Sequence, residues 1–140
     1  MLRSIGAIIT GFFFIAVFSF GADAVLHSAG AEFFDENGRS DNVGILLLTL
    51  SYVGVFAITG CYIAARLAPR RPMKHALILG ALGLLFNVVG TISLWDAAPA
   101  WYHITALLLV MPYAFVGGWL RERQLGRGSR IGGRYPASAR

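Results

Sequence analysis

Four long stretches of this chain carry no Asp, Glu, Lys or Arg: residues 4–22, 42–65, 75–95 and 97–120, with lengths of 19, 24, 21 and 24. None alternates apolar and polar residues with the period of two that a half-buried strand shows. Each comes close to the roughly 20 apolar residues a helix needs to cross a hydrocarbon core of about 30 Å. In lipid the backbone must satisfy its own hydrogen bonds, which makes helix the default for such segments. The pattern therefore predicts helices at about 4–27, 42–67, 73–95 and 99–123. Local punctuation agrees: Asp41 is placed to cap the second helix and Pro69 to stop it, Pro72 and Pro99 suit first-turn positions, and Gly126 suits the end of the fourth.

Between the helices, residues 66–74 and 95–99 are too short for anything but antiparallel neighbours. The first loop, about 27–40, is longer and acidic, with a short turn expected at 32–34. Residues 1–124 read as one four-helix membrane domain. Residues 125–140, rich in Gly, Ser and Arg, read as a flexible, disordered basic tail in the cytoplasm. The expected class is an all-α, four-helix transmembrane bundle.

Composition narrows the function classes. Residues of the set AVILMFWYC make up 56% of the 140, and only 14% are charged. A soluble chain this short would have too little core for so much apolar surface. That excludes a small soluble enzyme and a nucleic-acid-binding domain. The single cysteine, Cys61, excludes an internal disulfide, a CxxC redox pair and a thiolate metal cluster.

The position of the charges says more than their sum. Arg3, the loop cations Arg66, Arg70, Arg71 and Lys74, and all six arginines from Arg121 onward lie on one side of the predicted bundle. Only Arg39 lies on the other, with Glu32, Asp35, Glu36, Asp41 and Asp96, and Asp23 near them. The positive-inside rule then puts both termini in the cytoplasm. Trp95, Trp101 and Tyr102 suit an outer aromatic belt, and Tyr62 and Trp119 an inner one. A rival for the first segment is a cleaved signal peptide, with Arg3, an apolar run and Ala22-Asp23-Ala24 as its three parts.

Small residues mark where membrane helices meet. Ala76, Gly80, Gly83, Asn87 and Gly90 fall on one stripe of the third helix, which makes it the expected site of tightest packing, with Asn87 as an interhelical polar contact. Ala57, Gly60, Cys61, Ala64 and Ala65 form a similar stripe on the second. Pro112 leaves the Leu108 carbonyl without a helical donor, so the fourth helix should loosen there.

Asp23 and His27 are four residues apart and share a helix face, continued inward by Ala16 and Ser19. Helix rise places His103 at a similar depth, and Asp96 sits in the adjacent short loop. These four form the candidate polar cluster, provided that helices one and four are neighbours. A structural pairing of Asp23 with His27 or His103 is one reading. Proton relay or transport is another, and a divalent metal or a haem held by the imidazoles is a third. His75 lies across the core beside Lys74 and cannot join. The cations Arg66, Arg70, Arg71 and Lys74 suit contacts to lipid headgroups.

Several segments resemble a group of uncharacterised small bacterial membrane proteins with four predicted helices. The resemblance rests on the segments at 22–27 (ADAVLH), 64–77 (AARLAPRRPMKHAL), 101–102 (WY) and 117–121 (GGWLR). It implies a bacterial inner-membrane setting and no site roles. The chain lacks the helix-one Glu of small multidrug exporters, the Thr-Thr-Phe-Ser type signature of fluoride channels and the cysteine pair of vitamin K reductase-like enzymes.

The first reading of function is a non-enzymatic inner-membrane protein working through packing, lipid or partner contacts, with no cofactor. The second is an oligomeric transporter or channel subunit, and the third is a metal- or haem-binding membrane enzyme. The expected partners are the bilayer and a second copy or another membrane protein, and not nucleic acid. An open polar cavity running from Asp23 past Asn87 would favour the second reading over a closed bundle.

Overall fold

The computed structural model describes residues 2–36, 38–68 and 70–132. Its order is α1 (Leu2–Ala29), a 3-10 turn (Ala31–Phe33), α2 (Val43–Leu67), α3 (Pro72–Ser93), a second 3-10 turn (Trp95–Ala97) and α4 (Ala100–Gly132). No strand occurs among the described residues, and all four helices are long and apolar enough to span a membrane. Large side chains such as Phe20, Ile92 and Leu108 are 70% or more exposed, as lipid-facing positions should be.

The boundaries differ from expectation in informative places. The cap of α2 is Asn42 and not Asp41: the Asn42 side chain accepts from the Ile45 amide at 3.2 Å. Pro72 opens α3 as expected, after Arg71 in a left-handed conformation (φ 52°). Trp95 belongs to a 3-10 turn and not to α3. The fourth helix runs through Pro112 and past Gly126 to Gly132, the last described residue; residues 133–140 of the expected tail lie outside the described ones.

Helix directions follow from contacts between small residues. Gly11 of α1 meets the Gly60 carbonyl and Ala64 of α2, so these helices run antiparallel. Gly80 meets Ala114, and Gly118 meets Ala76, which makes α3 and α4 antiparallel as well. Gly54 against Tyr113 and Gly117 against Cys61 show α2 and α4 parallel. The start of α1 and the far end of α4 therefore sit at one end, here the terminal end, and the α1–α2 and α3–α4 loops at the other. Helices α1 and α4 flank the α2/α3 pair and make no extensive contact with each other.

Packing is uneven along the bundle. Near the terminal end, Cys61, Ala64, Ala65, Ala76, Leu79 and Ala114 form a buried cluster, with Ile8, Phe12 and Ile15 of α1 packed on it. A methyl group added at Gly117 would lie 2.6 Å from the Ile58 carbonyl oxygen and 2.8 Å from Cys61 Cβ. Only glycine permits that approach. The tightest helix is thus α2, whose buried residues run from Leu46 to Ala65, and not α3. The α3 stripe divides: Gly80 packs closely, Gly83 is in ordinary contact with Val110, and a methyl at Gly90 would meet nothing within 4 Å.

Candidate functional site

At the loop end the helices part around a cavity of about 570 Å³, to which all four contribute. Its polar wall comes from Asp23 and His27 of α1, Thr49 of α2, Asn87 and Thr91 of α3, and Tyr102, His103 and Tyr113 of α4. The rest is apolar, from residues such as Leu46, Val53, Ala106 and Val110. Gly90 faces this space, which explains why nothing lies against it. Toward the terminal end the cavity lining reaches Ala57 and Tyr113, and beyond these the close contacts of Gly60 on Ile15 and Gly117 on Cys61 bring the helices together.

The loops form the rim. Asp35 and Arg39 close a turn through Asp35 N–H to the Arg39 carbonyl (2.9 Å) and Arg39 N–H to Asp35 Oδ1 (2.8 Å). Gly38 within it takes φ 74°, a left-handed conformation suited to glycine. The Ser40 amide donates to the Ala97 carbonyl at 3.2 Å and ties the first loop to the third. Phe34 stacks on the His27 ring with centroids 4.0 Å apart. Trp95 stacks on His103 at 5.2 Å.

Asp23 has a partner, but not the expected one. Its Oδ1 accepts from the Tyr52 hydroxyl of α2. His27 Nδ1 donates to the Asp23 main-chain carbonyl at 2.9 Å, and His103 Nε2 donates to the Trp95 carbonyl at 3.1 Å. Carbonyl oxygens only accept, so each of these ring nitrogens carries a proton. In the neutral rings, His27 Nε2 and His103 Nδ1 are then acceptors.

Three of the four cluster residues line one cavity, Asp23 and His27 from α1 and His103 from α4, each hydrogen-bonded to a partner other than the side chains of the other two. Asp96 is exposed and does not line it. Pairing Asp23 with His103 required α1 against α4, and the α2/α3 pair intervenes; His27 is instead bonded to the Asp23 main chain. Among the described residues no three His, Cys, Asp or Glu side chains gather as a metal site.

Asn87 lines the cavity, and its amide makes no hydrogen bond to another helix among the described residues. The Ser19 hydroxyl, one turn below Asp23, is buried without a partner. At the terminal end, His75 Nδ1 donates to the Arg71 carbonyl at 3.3 Å. Arg66, Arg70, Arg71 and Lys74 are exposed around the α2–α3 loop. Tyr62 donates to Gln124 Oε1 at 2.7 Å, and Arg123 lies 4.0 Å over the Trp119 ring.

Tyr52 is the main residue that sequence reasoning missed. A signal for it exists in the helix register. Ile15 lies against Gly60. Eight residues toward the loop end on each helix bring Asp23 opposite Tyr52.

Chemically, the cavity holds one carboxylate, at Asp23, and two imidazoles that present acceptors when neutral. Thr49 donates its hydroxyl to Ile45 at 3.0 Å, leaving lone pairs. The hydroxyls of Tyr102, Tyr113 and Thr91 and the Asn87 amide can donate or accept. The arrangement suits a molecule with an apolar body and a positively charged or donor-rich end. No protein-family model, curated protein or solved structure matches the chain.

Proposed function

We propose that this is a non-enzymatic inner-membrane protein that binds a small organic cation with an apolar body in the loop-end cavity. One observation carries the reading: the cavity is mostly apolar, of a size typical for small-molecule sites, and its single carboxylate is Asp23. The charge around it agrees. Glu32, Asp35, Glu36, Asp41 and Asp96 stand at the same end with only Arg39 against them. Such a rim raises the local concentration of cations. Phe34, Tyr102 and Tyr113 also line the cavity, and aromatic rings attract cations.

Orientation follows from the cation bias: both termini are cytoplasmic, and the cavity opens to the outer face. Arg66, Arg70, Arg71 and Lys74 then meet the headgroups of the inner leaflet, each contributing about 1 kcal/mol near an anionic surface. The resemblance to small bacterial four-helix proteins supports the inner membrane as the setting. A transport role, alone or as an oligomer, is a second reading, favoured by the polar positions at Thr49, Asn87 and Thr91 along the cavity wall. It requires the Gly117 contact to part.

The test is calorimetric titration of the purified protein in non-ionic detergent with benzyltrimethylammonium. Saturable binding is expected, with no binding of benzenesulfonate. Asp23→Asn should weaken the cation about tenfold or more, since an interaction with a charged group contributes about 1.5–3 kcal/mol. Equal affinity for the anion, or an unchanged affinity in Asp23→Asn, contradicts the reading.

A further inference from the structure

A second, more open groove of about 620 Å³ runs along the outside of the α1–α2 seam. Val17, Gly21, Ala22 and Val25 line it from α1, and Leu48 and Phe56 from α2. It is almost wholly apolar and lies on helix faces that meet lipid. From Val17 to Ala29 it extends along α1 for roughly 18 Å by helix rise. That is more than half of the ~30 Å hydrocarbon core, enough for one lipid chain.

The groove and the polar cavity share a wall. Leu26 lines both. Tyr52 lines the groove, Asp23 lines the cavity, and the hydrogen bond between them crosses the seam. Leu26 and the Asp23–Tyr52 pair are thus the side chains that the groove and the cavity have in common. A methyl at Gly21 would meet nothing within 4 Å, so the groove is unobstructed beside that pair. The Asp23 carboxylate, held from the lipid side by the Tyr52 hydroxyl, is the group a cationic head seeks. A head arriving along the groove competes with Tyr52 for it.

From this juxtaposition we infer that the ligand is a membrane-dissolved, single-chain cationic amphiphile. Its head is held at Asp23 inside the cavity, and its chain lies through the α1–α2 seam in the groove. The Asp23–Tyr52 pair is the latch of this lateral entrance, and Gly21 keeps the chain's path open. The inference rests on the cation-binding reading of the cavity and adds the ligand's chain and its route.

The experiment uses two cations on the full chain in lipid nanodiscs. One is benzyltrimethylammonium. The other is dodecyltrimethylammonium with a photoreactive diazirine at the end of its chain. On irradiation the long cation should label Val25 and Leu48. Excess short cation should suppress that labelling while leaving the lipid-facing Phe20 and Ile92 labelled as before. Gly21→Leu fills the groove outside the cavity. It should weaken the long cation roughly tenfold, the effect of losing about two buried methylenes, and change the short one less than twofold. Labelling at Val25 and Leu48 that the short cation does not suppress overturns the lateral route but leaves the cavity reading standing. So does an equal loss for both cations in Gly21→Leu. If the short cation does not bind the parent protein, both readings fall.

Discussion

Replacing Gly117 with alanine tests whether the terminal half of the bundle is a sealed floor. The added methyl would stand 2.6 Å from the Ile58 carbonyl oxygen, 2.8 Å from Cys61 Cβ and 2.9 Å from the Tyr62 amide nitrogen. Two of these are backbone atoms and the third is the first atom of a buried side chain, so no rotamer change relieves the clash. Overpacking of this kind costs about 1–3 kcal/mol, and rigid neighbours put it in the upper part of that range. Alanine returns up to ~1 kcal/mol of helix propensity. The net expectation is a loss of about 2 kcal/mol. Gly83→Ala is the control on the neighbouring helix: its methyl meets only Val110 Cγ1 at 3.8 Å, an ordinary contact. That variant should match the parent or gain up to ~1 kcal/mol. Unfolding in mixed micelles, titrated with a denaturing detergent, reads both. If Gly117→Ala lies within about 0.5 kcal/mol of Gly83→Ala, a spread ordinary for surface substitutions, the close approach of α2 and α4 is not a structural constraint.

Other outcomes follow from single contacts. Tyr52→Phe and Asp23→Leu should each destabilise, and the double variant should lose less than their sum, because the hydrogen bond between them is counted once; the same unfolding assay on Asp23→Leu combined with His103→Phe should give simple additivity. His103→Phe keeps the ring stack on Trp95 but removes the bond to its carbonyl, for a loss of about 0.5–1.5 kcal/mol in thermal unfolding. Ser19→Ala removes a buried hydroxyl that has no partner, so its stability should equal or exceed the parent's. A reporter enzyme fused after Arg140 should be active only if it works in the cytoplasm, and activity of a periplasm-dependent reporter there would reverse the orientation.

The helices were legible because the bilayer constrains a spanning segment through length and charge alone. Runs without charged residues located all four, and errors at the ends stay within a few residues except in α4. There a charged, glycine-containing stretch continues a helix that composition reads as a tail. Packing was harder to read. The α2 and α3 stripes look alike in sequence, but whether a glycine is a contact depends on what stands opposite. Gly80 has Ala114 there, and Gly90 has open space. The site was half legible. Asp23, His27 and His103 stand out as ionisable groups in apolar segments, and they do share one cavity. Their pairing was not readable, because sequence does not say that the α2/α3 pair separates α1 from α4. Tyr52 looks like any mid-helix aromatic until the α1–α2 register is known.

The central claim is that a cation-binding cavity opens at the loop end and is closed toward the termini. It is tested most directly by cysteine labelling. In a Cys61→Ala background, Thr49→Cys places a thiol on the cavity wall, while the native Cys61 sits buried in the sealed half. A membrane-impermeant, trimethylammonium-bearing thiol reagent is added to the outer face of intact spheroplasts. It should modify Thr49→Cys, more slowly in the presence of benzyltrimethylammonium, and should leave Cys61 of the parent protein unmodified. Labelling of Cys61 at the same rate as Thr49→Cys, or labelling of Thr49→Cys that the cation does not slow, would contradict the account.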